Sequence, residues 1–300
     1  MKNIFINDNH QIRSGWKIVI ALLSIFLVVP IILGTLLLPI FALCGFNTSD
    51  RYTLSQISIY IQEIITIIIP IILWKLLDKK NLTELGLPSI KNNHQNFIYG
   101  LLFGALSLTA AAIIILCTNS SILKGSLLKP NFSLPILTAL ILYILVGFSE
   151  EILCRGYFLS VLKQCKNKYV PYMGSAVIFA LMHSLNPGIS VLSYINLFLF
   201  GLFAAYAVYK TKSIWLGIGF HITWNFFQGN VWGFLVSGTT NKDSIYTIQV
   251  LNKNIINGAD FGPEGGLAVT LILILLIIML YKFVPIKKEA ENDDYLTNTL

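Results

Sequence analysis

Residues 134–163 read LPILTALILYILVGFSEEILCRGYFLSVLK, and the way this stretch mixes long apolar runs with charge decides the fold. As a helix it would extend about 45 Å at 1.5 Å per residue, more than the roughly 30 Å of hydrocarbon in a bilayer. Leu134 to Phe148 carry no charge; Glu150, Glu151 and Arg155 then follow, and apolar residues resume as far as Lys163. An ionised side chain at the bilayer centre costs roughly 2.5 to 3.5 kcal/mol on insertion scales, so charges here need partners or a function. Glu151 and Arg155 are four residues apart on one helical face and can form an ion pair. Glu150 points about 100° away from that face and is left to look into something else. The plainer alternative is a helix end projecting into the cytoplasm with ordinary solvated charges.

The rest of the chain supports the membrane reading. Of the 300 residues, 55% are hydrophobic and only 12% charged, with a mean hydropathy of +0.73, against roughly 25% charged in a soluble domain. Apolar runs near 17–44, 55–77, 96–117, 134–163, 170–185, 189–209, 213–236 and 266–285 predict an all-α polytopic protein of eight transmembrane helices. No polar stretch is long enough to fold separately, so residues 1–300 read as a single membrane domain. The first apolar run is too long for a signal-peptide core and has no small-residue cleavage site, so it is expected to remain as the first helix.

The net charge of +7 does not point to nucleic acid, because the basic residues sit between apolar runs and form no basic surface. They fit a topology: with both termini cytoplasmic, fifteen basic residues fall in inside loops and five, Arg51, Lys124, Lys129, Lys242 and Lys253, in outside loops. That asymmetry follows the positive-inside rule and predicts a multi-pass protein of a cell membrane, with the bilayer as its constant partner. Trp16, Trp74, Trp215 and Trp232 fall near expected interfaces. Gly100 and Gly104 give one small-residue packing spacing. Cys44, Cys117, Cys154 and Cys165 show no CxxC spacing and read as small packing residues. Residues 237–265 form the longest polar segment, an irregular excursion outside the membrane.

Outside the 149–158 segment, SEEILCRGYF, the expected spans contain few ionisable groups: Glu63, and His183 and His221 of the four histidines. Phe179 and His183 in FALMH share one helical face, as do His221 and Asn225 in HITWN. A lone histidine on an apolar face is more often a hydrogen-bonded core residue than a catalyst, but two of them beside an unpaired glutamate suggest a joint site. Helical rise places Glu150 about 19 Å below Lys163, His183 at a similar depth from Val170, and His221 about 13 Å below Lys212. Allowing for tilt, all three can therefore converge in the cytoplasmic half of the membrane or near its midplane.

These residues resemble the motifs of the CAAX-protease and bacteriocin-processing family of intramembrane endopeptidases, also called Abi or Rce1-like. Its E-E-x-x-x-R motif is matched by Glu150, Glu151 and Arg155, its F-x-x-x-H motif by Phe179 and His183, and its H-x-x-x-N motif by His221 and Asn225. The matches fall in order within residues 134–236, the expected catalytic core. The resemblance implies an eight-helix protease with a membrane cavity open to the cytoplasm. It casts Glu150 as the base that activates water, assisted by His183, with His221 and Asn225 stabilising the oxyanion and Glu151 with Arg155 holding the helix in register.

Peptide hydrolysis needs a proton acceptor beside water and donors where the carbonyl oxygen becomes negative, and this residue set supplies both. No serine or cysteine is placed as an obvious nucleophile. Glu150, His183 and His221 would also provide the three protein ligands usual for catalytic zinc. The strong HExxH signature is absent, so a divalent metal and a metal-free hydrolysis both stand. The expected substrate is a peptide or membrane protein. Two competing functions are a proton-coupled transporter built on Glu63 and Gln62, and a non-enzymatic immunity protein that sequesters a membrane-active peptide such as a bacteriocin. The abundance of Ile, Lys and Asn resembles a low-GC bacterium.

Overall fold

The computed structural model describes residues 4–45 and 51–287, with the side chains of 51–53 also left aside. Lys2, Lys288 and the Arg51 side chain, used in the charge argument, lie outside the described residues. The described chain is mostly helical, in apolar segments joined by short links. These are α1 (Ser14–Leu43), α2 (Leu54–Asp78), α3 (His94–Cys117), α4 (Leu134–Leu162), α5 (Val170–Met182), α6 (Val191–Thr211), α7 (Trp215–Phe226, continued by a π-helical turn Phe227–Val231) and α8 (Leu267–Phe283). α1, α2, α3, α4 and α6 are long and apolar enough to cross a membrane by length and composition, while α5 and α8 are apolar but shorter. The chain is a membrane protein with at least these five candidate spans.

Each expected helix has a counterpart, with boundaries shifted by a few residues. One revision bears on the site: α5, expected to reach residue 185, ends at Met182, so that His183 caps the helix instead of standing on its face. The Asn186-Pro187-Gly188 turn explains this: proline disfavours helical backbone in the residue before it, and Gly188 adopts a positive φ of 71°. Ser190 and Ser193 then start α6 with a reciprocal capping box, which satisfies backbone N–H groups that the first helical turn leaves unpaired.

α3 and α7 run side by side in the same direction. Gly100 and Gly104 lie against the backbone of Leu216 and Phe220, and Gly219 lies against that of Phe97, with no space for a Cβ at any of the three. The small-residue spacing thus marks a real backbone-to-backbone contact, where close approach gives van der Waals packing that lipid cannot supply. α4 crosses the other side of α7, with Gly147 against Ile222. The buried core is rich in aromatic rings from α4 to α7, among them Tyr157, Phe158, Phe179, Phe200, Phe203, Phe220 and Trp224.

The bundle has two chemically different ends. At one, Lys17 of α1 pairs with Asp78 of α2 in buried surroundings. There too the Lys287 N–H donates to the Lys210 carbonyl at 2.8 Å, and Trp215 Nε1 to the Pro88 carbonyl at 2.8 Å. Thirteen described basic residues gather at this end: Arg13, Lys17, Lys75, Lys79, Lys80, Lys91, Lys163, Lys166, Lys168, Lys210, Lys212, Lys282 and Lys287. At the opposite end, strand β1 (Ser121–Lys124) pairs antiparallel with β2 (Thr247–Val250), Ser121 opposite Val250, and the 232–266 loop is folded down. Only Lys124, Lys129, Lys242 and Lys253 are described there.

The cysteines correct one expectation. Cys154 is buried and packs in the core, but Cys44 and Cys117 are exposed and Cys165 only half-buried. Trp74 also differs from an interfacial ring: it is buried, with its indole N–H donating to the Asn81 carbonyl at 2.9 Å.

Candidate active site

The site is built on the point where α4 changes its winding. The α-helix runs to Glu151 and passes into a π-helical turn over Ile152–Phe158, a local widening found often at functional sites. The widened turn is held from outside, since Ser175 Oγ of α5 donates to the Cys154 carbonyl at 2.8 Å. Arg155, in the middle of the turn, is fully buried. Its Nη1 lies 3.0 Å from Glu151 Oε1, and its guanidinium stacks 4.1 Å from the centre of the Phe179 ring and 5.8 Å from that of Phe200. The aromatic faces supply attraction for a cation that has no water around it. The expected Glu151–Arg155 pair is thus present, with Phe179 as its lid.

Glu151 has a second partner that the sequence did not reveal. Its Oε1 accepts from His221 Nδ1 at 3.1 Å, which ties α4 to α7. With the Nδ1 proton directed at a carboxylate, a neutral ring would leave Nε2 without a proton. That Nε2 faces Glu150 Oε2 at 3.8 Å. Glu150 is the one member of this cluster that keeps appreciable exposure, about a quarter of its side chain, where Glu151 and Arg155 have none. Gly217 permits the arrangement, because a Cβ there would meet Glu151 Oε2 at 2.8 Å.

His183 comes to the same place from the end of α5. Its Nδ1 donates to the Phe179 carbonyl at 2.9 Å, so its Nε2 is also the free nitrogen. The ring lies 4.9 Å from that of Phe179, which in turn is 6.1 Å from His221. Phe179 thus stands between the two histidines as well as over Arg155. Asn225, one helical turn beyond His221, is buried and faces the same hollow.

That hollow is a cavity of about 630 Å³, lined by Glu150, His183, His221 and Asn225 together. The expected set therefore converges, with Glu151 and Arg155 behind its wall. Two acids not assigned to the site by motif also line it. Glu63 of α2 accepts a hydrogen bond from Ser149, the residue before Glu150, so the acid expected for a transporter belongs to the same cavity. Glu264 accepts from Trp224 Nε1 at 3.3 Å and from the Ser237 N–H and hydroxyl at 2.9 and 2.8 Å, pinning the 232–266 loop onto α7. The sequence hid Glu264 because it lies in the polar loop, and only the fold returns that loop to the bundle.

The cavity occupies one half of the bundle. Its lining comes from residues 56–63 of α2, 135–150 of α4, 196–200 of α6 and 269–273 of α8, in every case the part nearest the loop end. Val236, Ser237 and Thr239–Lys242 form its rim. Towards the basic end it is closed by buried Ile152, Leu153, Phe203, Ile218 and Phe220. The described termini, residues 4 and 287, belong to the basic end. The rim of the cavity and the described termini thus lie at opposite ends of the bundle.

The three expected metal ligands can be tested on the same geometry. Among the described residues no group of three or more His, Cys, Asp or Glu side chains is gathered closely enough to hold a metal ion. Each histidine has its Nδ1 engaged elsewhere and its Nε2 left over, a pattern that metal-ligating histidines share.

A comparison with family models agrees with the motif reading: residues 132–227 match the model described as type II CAAX prenyl endopeptidase Rce1-like. No curated protein matches the chain. The matched segment runs from just before α4 to the first residue of the π-helical turn after α7, and contains Glu150, Glu151, Arg155, Phe179, His183, His221 and Asn225. Over residues 132–227 this membrane protein is therefore similar to the Rce1-like type II CAAX prenyl endopeptidases.

Proposed function

We propose that the chain is an intramembrane endopeptidase that cleaves a peptide bond with water activated between Glu150 and His221. The observation that supports this most directly is the facing pair of Glu150 Oε2 and His221 Nε2, 3.8 Å apart on the cavity wall, with Glu151 fixing the His221 tautomer from behind. A water on the cavity side of the pair can give its proton to one of them as its oxygen attacks the peptide carbonyl carbon. The tetrahedral adduct then collapses with cleavage of the C–N bond, and the same proton passes to the leaving amine.

The hydrogen bonds change the division of labour implied by the resemblance. A neutral His221 that donates through Nδ1 has no proton on Nε2 to offer an oxyanion, and the same holds for His183. The Asn225 amide is the motif residue left with a neutral donor for that task. Glu151 and Arg155 act through His221 as positioning residues.

As to topology, eight spans with cytoplasmic termini remain our reading of the charge pattern. α5, α7 and α8 cross by leaning on longer neighbours.

The test is purification in detergent, metal analysis, and cleavage of a membrane-peptide library with and without chelator. Glu150→Ala and His221→Ala are expected to lose cleavage while remaining folded. Full activity of Glu150→Ala would defeat the proposal. Stoichiometric metal whose removal abolishes cleavage would replace it with a metal-assisted mechanism.

A further inference from the structure

The cavity and the basic residues lie at opposite ends of the bundle, and this separation carries a consequence for the substrate. Every helix that lines the cavity does so from its loop end to no further than about its middle, where Glu150 and His221 stand, and the hollow is closed towards the basic end by packed Ile152, Leu153, Phe203, Ile218 and Phe220. The basic end carries thirteen described Lys and Arg residues against four at the loop end. Short loops with a Lys and Arg excess stay cytoplasmic during insertion, because moving those charges across the membrane is opposed. We infer that the cavity opens on the extracytoplasmic side, and that the peptide bond it acts on is presented from outside the cell or from within the outer half of the bilayer.

The rim chemistry fits a peptide arriving from that side. Gln56, Thr138, Asn186, Thr239, Thr240 and Asn241 bring neutral amides and hydroxyls to the mouth, with Lys242 beside them. Such groups can pair with the N–H and C=O of an extended main chain, which offers both donors and acceptors and carries no charge. A phosphorylated ligand would call for a cluster of arginines instead. The rim is held as a unit: Asn186 Nδ2 donates to the Ser237 carbonyl at 3.2 Å, Tyr143 to Asn241 Oδ1 at 2.7 Å, and Glu264 anchors Ser237. The 232–266 loop is thereby the wall of an entrance.

The inference rests on the proposed endopeptidase reading for its substrate, but its geometry can be tested without catalysis. With the four native cysteines replaced, single Val146→Cys, Thr240→Cys and Lys166→Cys variants are treated with a small membrane-impermeant thiol reagent, in intact cells and in inverted vesicles. Val146 lines the cavity one helical turn from Glu150, Thr240 lies on the rim, and Lys166 is at the basic end. The expected result is modification of Val146→Cys and Thr240→Cys in intact cells, and of Lys166→Cys only in inverted vesicles. The reverse pattern, or a Val146→Cys that reacts only in inverted vesicles, overturns the inference. If the labelling holds but Glu150→Ala still cleaves, access from outside survives and the hydrolytic reading fails.

Discussion

His221 Nδ1 lies 3.1 Å from Glu151 Oε1, and the same oxygen lies 3.0 Å from Arg155 Nη1. One buried carboxylate thus serves two helices. It balances the charge of its own helix and orients a ring on another. Breaking a buried pair by removing one partner costs about 3–5 kcal/mol, because the other charge is left without compensation. Glu151→Gln is therefore expected to destabilise the protein by that order, visible as a large fall in thermal midpoint in detergent. Glu150→Gln, at a quarter-exposed position without such a pair, should shift the midpoint little while lowering cleavage by about a hundredfold or more. Equal destabilisation by both would contradict the separate roles.

Much of this was legible in the sequence, and the remainder has identifiable causes. Glu151 and Arg155 declare their pairing through i,i+4 spacing, and the apolar runs declare the helices. The His221–Glu151 bond is not legible, because it joins residues 70 positions apart and depends on Gly217 admitting the carboxylate. The cavity's direction is not legible either, because a motif fixes which residues meet but not which halves of their helices enclose the space. Glu264 escaped notice since a polar loop offers no reason to single out one acid.

Glu63 offers a way to separate the protease from a transporter. It lines the cavity and is hydrogen-bonded to Ser149, so Glu63→Gln retains a polar partner and should leave the fold intact. Its effect on cleavage is expected to be smaller than that of Glu150→Gln, since Glu63 does not face His221 Nε2. Proton-coupled uptake lost in Glu63→Gln and retained in Glu150→Gln would support the transporter instead.

The α3–α7 contact predicts a sharp contrast among glycines. At Gly104 an added Cβ would collide with the Phe220 carbonyl and the Thr223 hydroxyl, whereas at Gly15 it would meet nothing within 4 Å. Gly104→Leu should prevent the helices from closing and abolish recovery of folded protein, while Gly15→Ala should be neutral. Size-exclusion profiles of the two variants in detergent check this, and a monodisperse, thermally unchanged Gly104→Leu would refute the contact.

The buried pair at the basic end supports a prediction in which a double change does less harm than a single one. Lys17 of α1 and Asp78 of α2 are 0% and 6% exposed, so neither charge has water to fall back on. Removing one alone, as in Lys17→Met, strands the other at an expected cost of about 3–5 kcal/mol, whereas replacing a whole buried pair with apolar groups of similar volume is often neutral. Lys17→Met with Asp78→Leu should therefore recover most of the thermal midpoint lost in Lys17→Met. The same comparison bears on helix placement, because this pair joins α1 to the end of α2 away from the cavity. A double variant no more stable than the single one would mean that the charges contribute through solvent or lipid headgroups, and that α1 is held to the bundle chiefly by its apolar contacts.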